Sequence, residues 1–306
     1  MKMSNTRADL NLEPELITDL INKVKGKSAL VQLAKQTPIP FNGTKEYTFN
    51  LDKEIDVVAE GGKKTEGGMS FEPITIKPIK VEYGVRFTDE FLYATDEAKI
   101  SFLQAFNDGF SKKLAKGIDL MSILGINPRT GTPATETIAN NYFVSKVQNK
   151  FTYDEATIDD LIESAIGKVQ EEDEGVTGMV MSREMATALA KLTVDKAGKG
   201  IKRYPELAWG ANPGSLNGLP IQITNNISYH DSKKVALLGD FANSFKWGYT
   251  KQIPMEVIKY GDPDNSGHDL KGYNQVYVRA EAYLGWGILN PKAFAIIEKT
   301  GSGVAA

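Results

Sequence analysis

The sequence predicts an α+β fold, and its patterning carries that prediction. Strand-like alternation dominates residues 44–87 and returns after residue 216. One sustained helical stripe lies between these regions, and further helices and strands mix without the regular β–α alternation of a doubly wound sheet.

The elements follow in chain order. Residues 1–11 are polar and aperiodic. Residues 13–24 then place Leu16, Ile17, Leu20, Ile21 and Val24 on one helical stripe, and residues 28–35 form a second short amphipathic piece with Leu30, Val31 and Ala34. This N-terminal arm must find its apolar partner elsewhere. Asn42 and Gly43 signal a tight turn before TKEYTFNL, where Tyr47, Phe49 and Leu51 alternate as in a strand. EIDVVAE leads into EGGKKTEGGMSF at residues 60–71. Beyond it, Ile74 and Ile76 share one parity, whereas Ile79, Val81, Tyr83, Val85 and Phe87 share the other. The slip at Lys77 and Pro78 fits a bulge or bend on an exposed edge. From residue 74 to residue 87 an extended chain covers about 46 Å, and the reading is a long hairpin with the Gly-rich segment at its tip.

Thr88 and Asp89 are placed to cap a short helix, and Asp96 another. In residues 96–124 the side chains Leu103, Phe106, Phe110, Leu114, Ile118 and Met121 recur at steps of three and four, a stripe roughly 44 Å long. Gly109 and Gly117 inside it suit close packing or a bend. After the break NPRTGTPAT, Thr152 and Glu155 resemble a capping box for a helix buried through Ile158, Leu161, Ile162, Ala165, Ile166 and Val169. VTGMVM reads as a buried strand, and Ser182 caps a helix running to Leu192. Strands are expected at 219–224, 235–239, 255–259, 276–284 and 293–298.

Composition narrows the function. The 306 residues carry 36 Lys and Arg against 39 Asp and Glu, a balance that argues against a dedicated nucleic-acid grip. With no cysteine, thiolate chemistry and Cys-based zinc sites are excluded. The N-terminal stretch lacks the apolar core of a signal peptide and no run is long enough to span a membrane, so the expected compartment is a cytoplasm.

Motifs for small-molecule chemistry fail on spacing. Gly26, Lys27 and Ser28 imitate the end of a phosphate loop, but the required first Gly falls at Ile21, and Gly62-Lys63 is followed by Lys64 rather than a hydroxyl residue. Asp262, Asp264 and Ser266 imitate half a calcium loop, yet Tyr273 stands where a bidentate Glu belongs; a solvated hairpin loop is the expectation. His230 and His268, the two histidines, sit in polar turn sequence. Asp159, Asp160 and the acidic run 171–174 read as a solvated helix face. No catalytic, cofactor or metal residue is assigned.

The order of these elements resembles the major capsid protein of tailed bacteriophages, the Hong Kong 97-type fold, over essentially the whole chain. LNGLPIQITNNI (216–227) is similar to that family's Gly-hydrophobic-Pro strand with an Asn-rich turn. GDFANSFKWGYTKQIPMEVIK (239–259) resembles its Gly-Asp-Phe segment, aromatic strand and following strand, and NQVYVRAEAYLGWGILNPKAFAIIE (274–298) its late strand with Arg279 and then Asn290-Pro291. The resemblance implies a structural subunit acting by association rather than catalysis, without cofactor. It divides the chain into an N-terminal arm (1–37), an extended-loop hairpin (38–87), a peripheral domain with spine helix (88–150), an axial domain (151–250), returning peripheral strands (251–290) and a C-terminal strand and tail (291–306). The implied interface residues are Lys63, Lys64 and Glu66 at the loop tip and Leu16, Leu20 and Val24 in the arm. The implied assembly is hexamers and pentamers of an icosahedral shell around double-stranded DNA, built in a bacterial cytoplasm. Few residues precede the first helix, so the expectation is a separate scaffolding protein, with a portal; the lysines suit charge contacts more than cross-linking. An encapsulin-like compartment shell, or a soluble enzyme or metal-binding protein using residues 262–267, are the alternatives.

Overall fold

The computed structural model describes residues 23–24, 27–51, 53–194, 200–250 and 255–300. Short helix α1 (Ala29–Leu33) begins at Ser28, whose hydroxyl accepts from the Val31 N–H at 3.2 Å. Strands β1 (Thr44–Leu51) and β2 (Met69–Ile76) pair antiparallel in unbroken register from Thr44–Ile76 to Leu51–Met69. This is the expected hairpin, but the 46 Å arm is corrected. Strand β3 (Ile79–Thr88) leaves the hairpin after Lys77 and Pro78 and pairs with a late strand instead. A proline that cannot donate to a ladder marks where the extended chain changes sheets.

Helix α2 (Asp96–Asp119) forms the predicted stripe, and a π turn carries it to Leu124, where Gly125 ends it at φ 74°. Thr95, one residue before the expected Asp96, is the cap: its hydroxyl accepts from the Ala98 N–H at 3.4 Å. Gly117 lies against Pro128, whereas nothing approaches Gly109, so close packing accounts for only the first of these glycines.

Two short helical turns, α3 (Thr135–Ile138) and α4 (Phe143–Lys146), lead to strand β4 (Asn149–Thr152). The capping-box reading is corrected here: Thr152 ends β4, and Asp154 caps the turn that follows by accepting from the Ala156 N–H at 3.0 Å. Then come α5 (Ile158–Gln170), β5 (Gly178–Met181), α6 (Arg183–Lys191), β6 (Ser215–Leu216), β7 (Leu219–Ile223) and β8 (Lys234–Gly239). Ser182 caps α6 as expected, accepting from the Met185 N–H at 3.2 Å. Strands β9 (Phe245–Tyr249), β10 (Met255–Ile258), β11 (Gln275–Ile288) and β12 (Phe294–Glu298) complete the chain.

The pairing produces two larger sheets. In the first, β11 pairs with β10, with β3 along Gln275–Leu284 and with β9 along Leu284–Ile288. The second has the order β4-β12-β8-β5-β7-β6. Two cores form, and the second sheet takes part in both: Val180, Leu237 and Ile296 on one of its faces join the first, and Met179, Leu238 and Ile297 on the other face join the second. Phe110, Leu114, Ile118 and Met121 of α2 pack with Ala280, Ala282, Leu284, Trp286 and Ile288 of β11, one parity of the strand. Ile158, Ala165 and Val169 of α5 and Met185 and Leu189 of α6 cover the second sheet.

A buried carboxylate fastens three distant segments where α2 ends. Asp119 is fully buried and accepts from the Ser28 hydroxyl at 2.6 Å, the Ala29 and Leu30 N–H groups at 3.1 and 3.3 Å, and the Asn226 amide at 2.8 Å. Burial pushes its carboxyl pKa up, against the pull of those donors. Ser28, the last residue of the apparent phosphate-loop tail, is thus spent on structure. After α1 the chain lies along β9: the Thr37 N–H donates to the Trp247 carbonyl at 2.8 Å, and a Cβ on Gly248 would stand 1.7 Å from the Thr37 oxygen.

Candidate assembly surface

The hairpin of β1 and β2 is fixed at its root and exposed at its tip. Ile76 is 1% exposed and lies over Gly287, where a Cβ would come within 2.7 Å of it. Glu46 pairs with Lys246 of β9 at 2.9 Å. These contacts aim the ladder away from its own core. The connection 53–68 then carries Lys63, Lys64 and Glu66, all exposed. Lys53 Nζ donates to the Glu66 carbonyl at 3.0 Å and joins the two sides of the tip around an open hollow of about 580 Å³. Gly61, at φ 77°, and the bond from the Gly62 N–H to the Ala59 carbonyl at 2.8 Å make the turn that the glycines signalled.

The sequence reading missed the apolar part of this surface. Ile55 and Val57 are 95% and 94% exposed, and Met69 is 64% exposed. The available signal was apolar alternation in EIDVV with no partner strand of matching length. Of the arm residues, Val24 is buried in its own chain's core beside the Lys23–Asp108 ion pair, and Leu16 and Leu20 lie outside the described residues. At the surface, therefore, the described members of the predicted set are the three at the tip.

The other candidate chemistries resolve into braces. Arg86 of β3 donates to both carboxylates of the would-be calcium loop, Asp262 at 2.6 Å and Asp264 at 2.9 Å, and to the His268 carbonyl at 2.9 Å. Asp262 also accepts from the Ser266 and Gly267 N–H groups at 3.0 and 2.8 Å. The guanidinium sits where a cation would have to sit. Its hydrogen bonds hold the Asp264 carboxyl well below the usual carboxylate range. A carboxyl depressed in the folded state contributes stability above its unfolded value of about 4, and loses it only as pH falls through the lower folded one. Hydrogen exchange should therefore find the loop 261–274 protected down to about pH 4 and loosened only in stronger acid. Arg86→Ala should remove that protection already at neutral pH; equal protection in the variant would contradict the clamp.

The solvated-face reading holds for exposed Asp160, Glu171, Glu172 and Asp173, whereas Asp159 and Glu174 are half-buried, and several of these residues carry partners. Asp159 accepts from the Tyr204 hydroxyl at 3.1 Å and pairs with Arg203. Glu171 pairs with Lys168 at 2.7 Å, Glu172 with Lys292 at 2.9 Å, and Glu174 accepts from Asn290 at 2.6 Å. The last two tie α5's end to the β11–β12 connection, a contact between segments too distant in sequence to be read from the run itself. His230 and His268 are exposed, as expected, and meet Tyr229 and Tyr273 edge to face.

Comparison with known proteins agrees with this architecture. A structure from Mycobacterium phage Ogopogo superposes with a TM-score of 0.73 at 28% identity, covering 90% of this chain and 92% of that one. One from Gordonia phage Cozz gives 0.72 at 22% identity, covering 90% and 87%. The capsid of a native GTA particle gives 0.62 at 14%, covering 89% and 90%, a likeness of fold. No curated protein sequence matches the chain. The sequence model of the phage capsid family matches residues 10–299, nearly the full length. With its α+β architecture in agreement, the chain belongs to the phage capsid family and is a structural major capsid protein.

Proposed function

We propose that the chain assembles through hexamers and pentamers into a closed icosahedral shell, with the loop tip carrying Lys63, Lys64 and Glu66 lying over a neighbouring copy. The observation that carries this reading is the tip itself. Ile55 and Val57 are almost wholly exposed at the end of a ladder whose root is buried, an arrangement suited to burial against another chain. Leu16 and Leu20 serve the same association from the arm, whereas Val24 packs inside its own chain. Regions 88–150 and 251–290 act as a peripheral domain around α2 and β11, and 151–250 as an axial domain around the second sheet.

The mechanism is association without catalysis. Apolar burial at about 25 cal/mol/Å², repeated over many neighbours, makes weak contacts collectively stable. Partners that accompany this reading are a separate scaffolding protein, a portal and enclosed double-stranded DNA, with assembly in the bacterial host cytoplasm. The near-balanced charge of 36 basic and 39 acidic residues suits a wall that contains DNA without gripping it. The family match favours this reading over a cargo compartment or a metal-binding enzyme. Electron microscopy of the chain, alone and with its scaffold, should show closed particles or isolated hexamers and pentamers. A monomer under every such condition would overturn the reading.

A further inference from the structure

Where the chain leaves the second sheet, it arrives at the mouth of a groove. Strand β12 ends at Glu298, whose carbonyl accepts from the Tyr153 N–H at 2.7 Å. The next residue is held from two sides. The Lys299 N–H donates to the Lys233 carbonyl at 2.8 Å, and its ammonium donates to both oxygens of Glu184 at 2.6 and 2.7 Å. Tyr153 and Glu184 both line a groove of about 300 Å³ between residues 153–155 and one face of α6. That face is Glu184, Thr187, Ala188 and Lys191, at helical steps of three and four. One wall is chemically unfinished. The Tyr153 hydroxyl is hidden from water and has no hydrogen-bond partner among the described residues. Burial, and then the charges of Glu155, Glu184 and Asp154, push its pKa up to about 12, so it keeps a proton to donate. Buried hydroxyls are normally satisfied, and one that is not points to an acceptor.

We propose that residues 301–306 of the same chain fold back into this groove, with a backbone carbonyl accepting from the Tyr153 hydroxyl. These residues lie beyond the described ones, and three observations make them the occupant. The first is the exit itself: Lys299 is pinned to Glu184, so the segment starts at the groove's own wall. The second is reach. Six residues extend about 20 Å, whereas α6 rises only about 11 Å from Glu184 to Lys191. The third is composition. The segment reads GSGVAA, with no charge and no side chain larger than Val, so its backbone can lie close to Ala188, which is 5% exposed. A segment tethered this near docks at high effective concentration even when each contact is weak. The contact is made within one subunit, so it stands or falls apart from the shell reading.

The test uses the full chain as unassembled subunits. The sequence has no cysteine, so an introduced pair reports on one contact alone. Thr187→Cys combined with Val304→Cys, oxidised with glutathione disulfide, should form an intramolecular disulfide. A control pairs Val304→Cys with Glu163→Cys on the exposed side of α5. The groove pair should close at least about tenfold faster than the control, because docking raises the effective concentration. Tyr153→Phe supplies a sign. A hydroxyl bonded to the docked segment stabilises the subunit, so its loss should lower the melting temperature; removing an unpartnered one would raise it. Equal closing rates in the two pairs, or a melting temperature raised by Tyr153→Phe, would overturn the proposal. Disulfides that join two chains would overturn it too, by giving the groove to a neighbour's segment.

Discussion

Removing residues 61–68 should leave a subunit that folds normally and does not close shells. The deleted stretch lies beyond the last paired residues of the hairpin, Leu51 and Met69, and all of it is exposed. Residues 52–60 remain to connect the strands, and shortening such a loop changes closure entropy by only about 0.6 kcal/mol per halving. The root contacts of Ile76 and of Glu46 with Lys246 are untouched. Thermal melting should therefore change little, while microscopy shows at least about a tenfold loss of particles, as expected when a hot-spot contact is lost from every interface. Wild-type shells from the deletion would refute the role given to the tip. Unfolding of the subunit would instead show that the tip supports its own chain.

Asp119→Ala should be among the most damaging single substitutions in the subunit. The carboxylate is buried and is the acceptor for Ser28, Ala29, Leu30 and Asn226. Truncation strands those donors away from water, and each unsatisfied group costs about 1–3 kcal/mol before relaxation. A total loss of about 3–5 kcal/mol is expected, which is a large part of the stability of an ordinary domain. Urea unfolding followed by circular dichroism would measure it. Asp119→Asn should be milder but still destabilising, since its amide would face donors on one side. A loss below about 1 kcal/mol in the Ala variant would mean that the three segments are held by other contacts.

Much of the fold was legible because local spacing reports burial directly. The run Leu103, Phe106, Phe110, Leu114, Ile118 and Met121 has the spacing of a helix with one covered face, and all of these are buried except Phe106, which is half-buried. Strands β7, β8, β10 and β12 were found by their patterning, but β9 was signalled only by the family resemblance, and β11 extends to Ile288 beyond its expected end. Gly285 and Gly287 in that extension are clearances for the Lys77 carbonyl and Ile76. Strand β4 was invisible, since NKFT has little strand character and forms only by parallel pairing with β12. The assembly surface was half legible. Glycines and lysines marked the tip, but the exposure of Ile55 and Val57 depends on where the hairpin points, which no local pattern encodes.

Strand β11 has one more implication, a mechanical one. Its rungs to β3, β10 and β9 run along its length, and its C-terminal end continues through Asn290 and Pro291 into β12 of the other sheet. A tension drawing the two sheets apart along this line loads those rungs in shear, so they must fail together instead of peeling one by one. The subunit is thus built like a strap across its own middle, and a wall made of such subunits should yield at the seams between them before any single one tears.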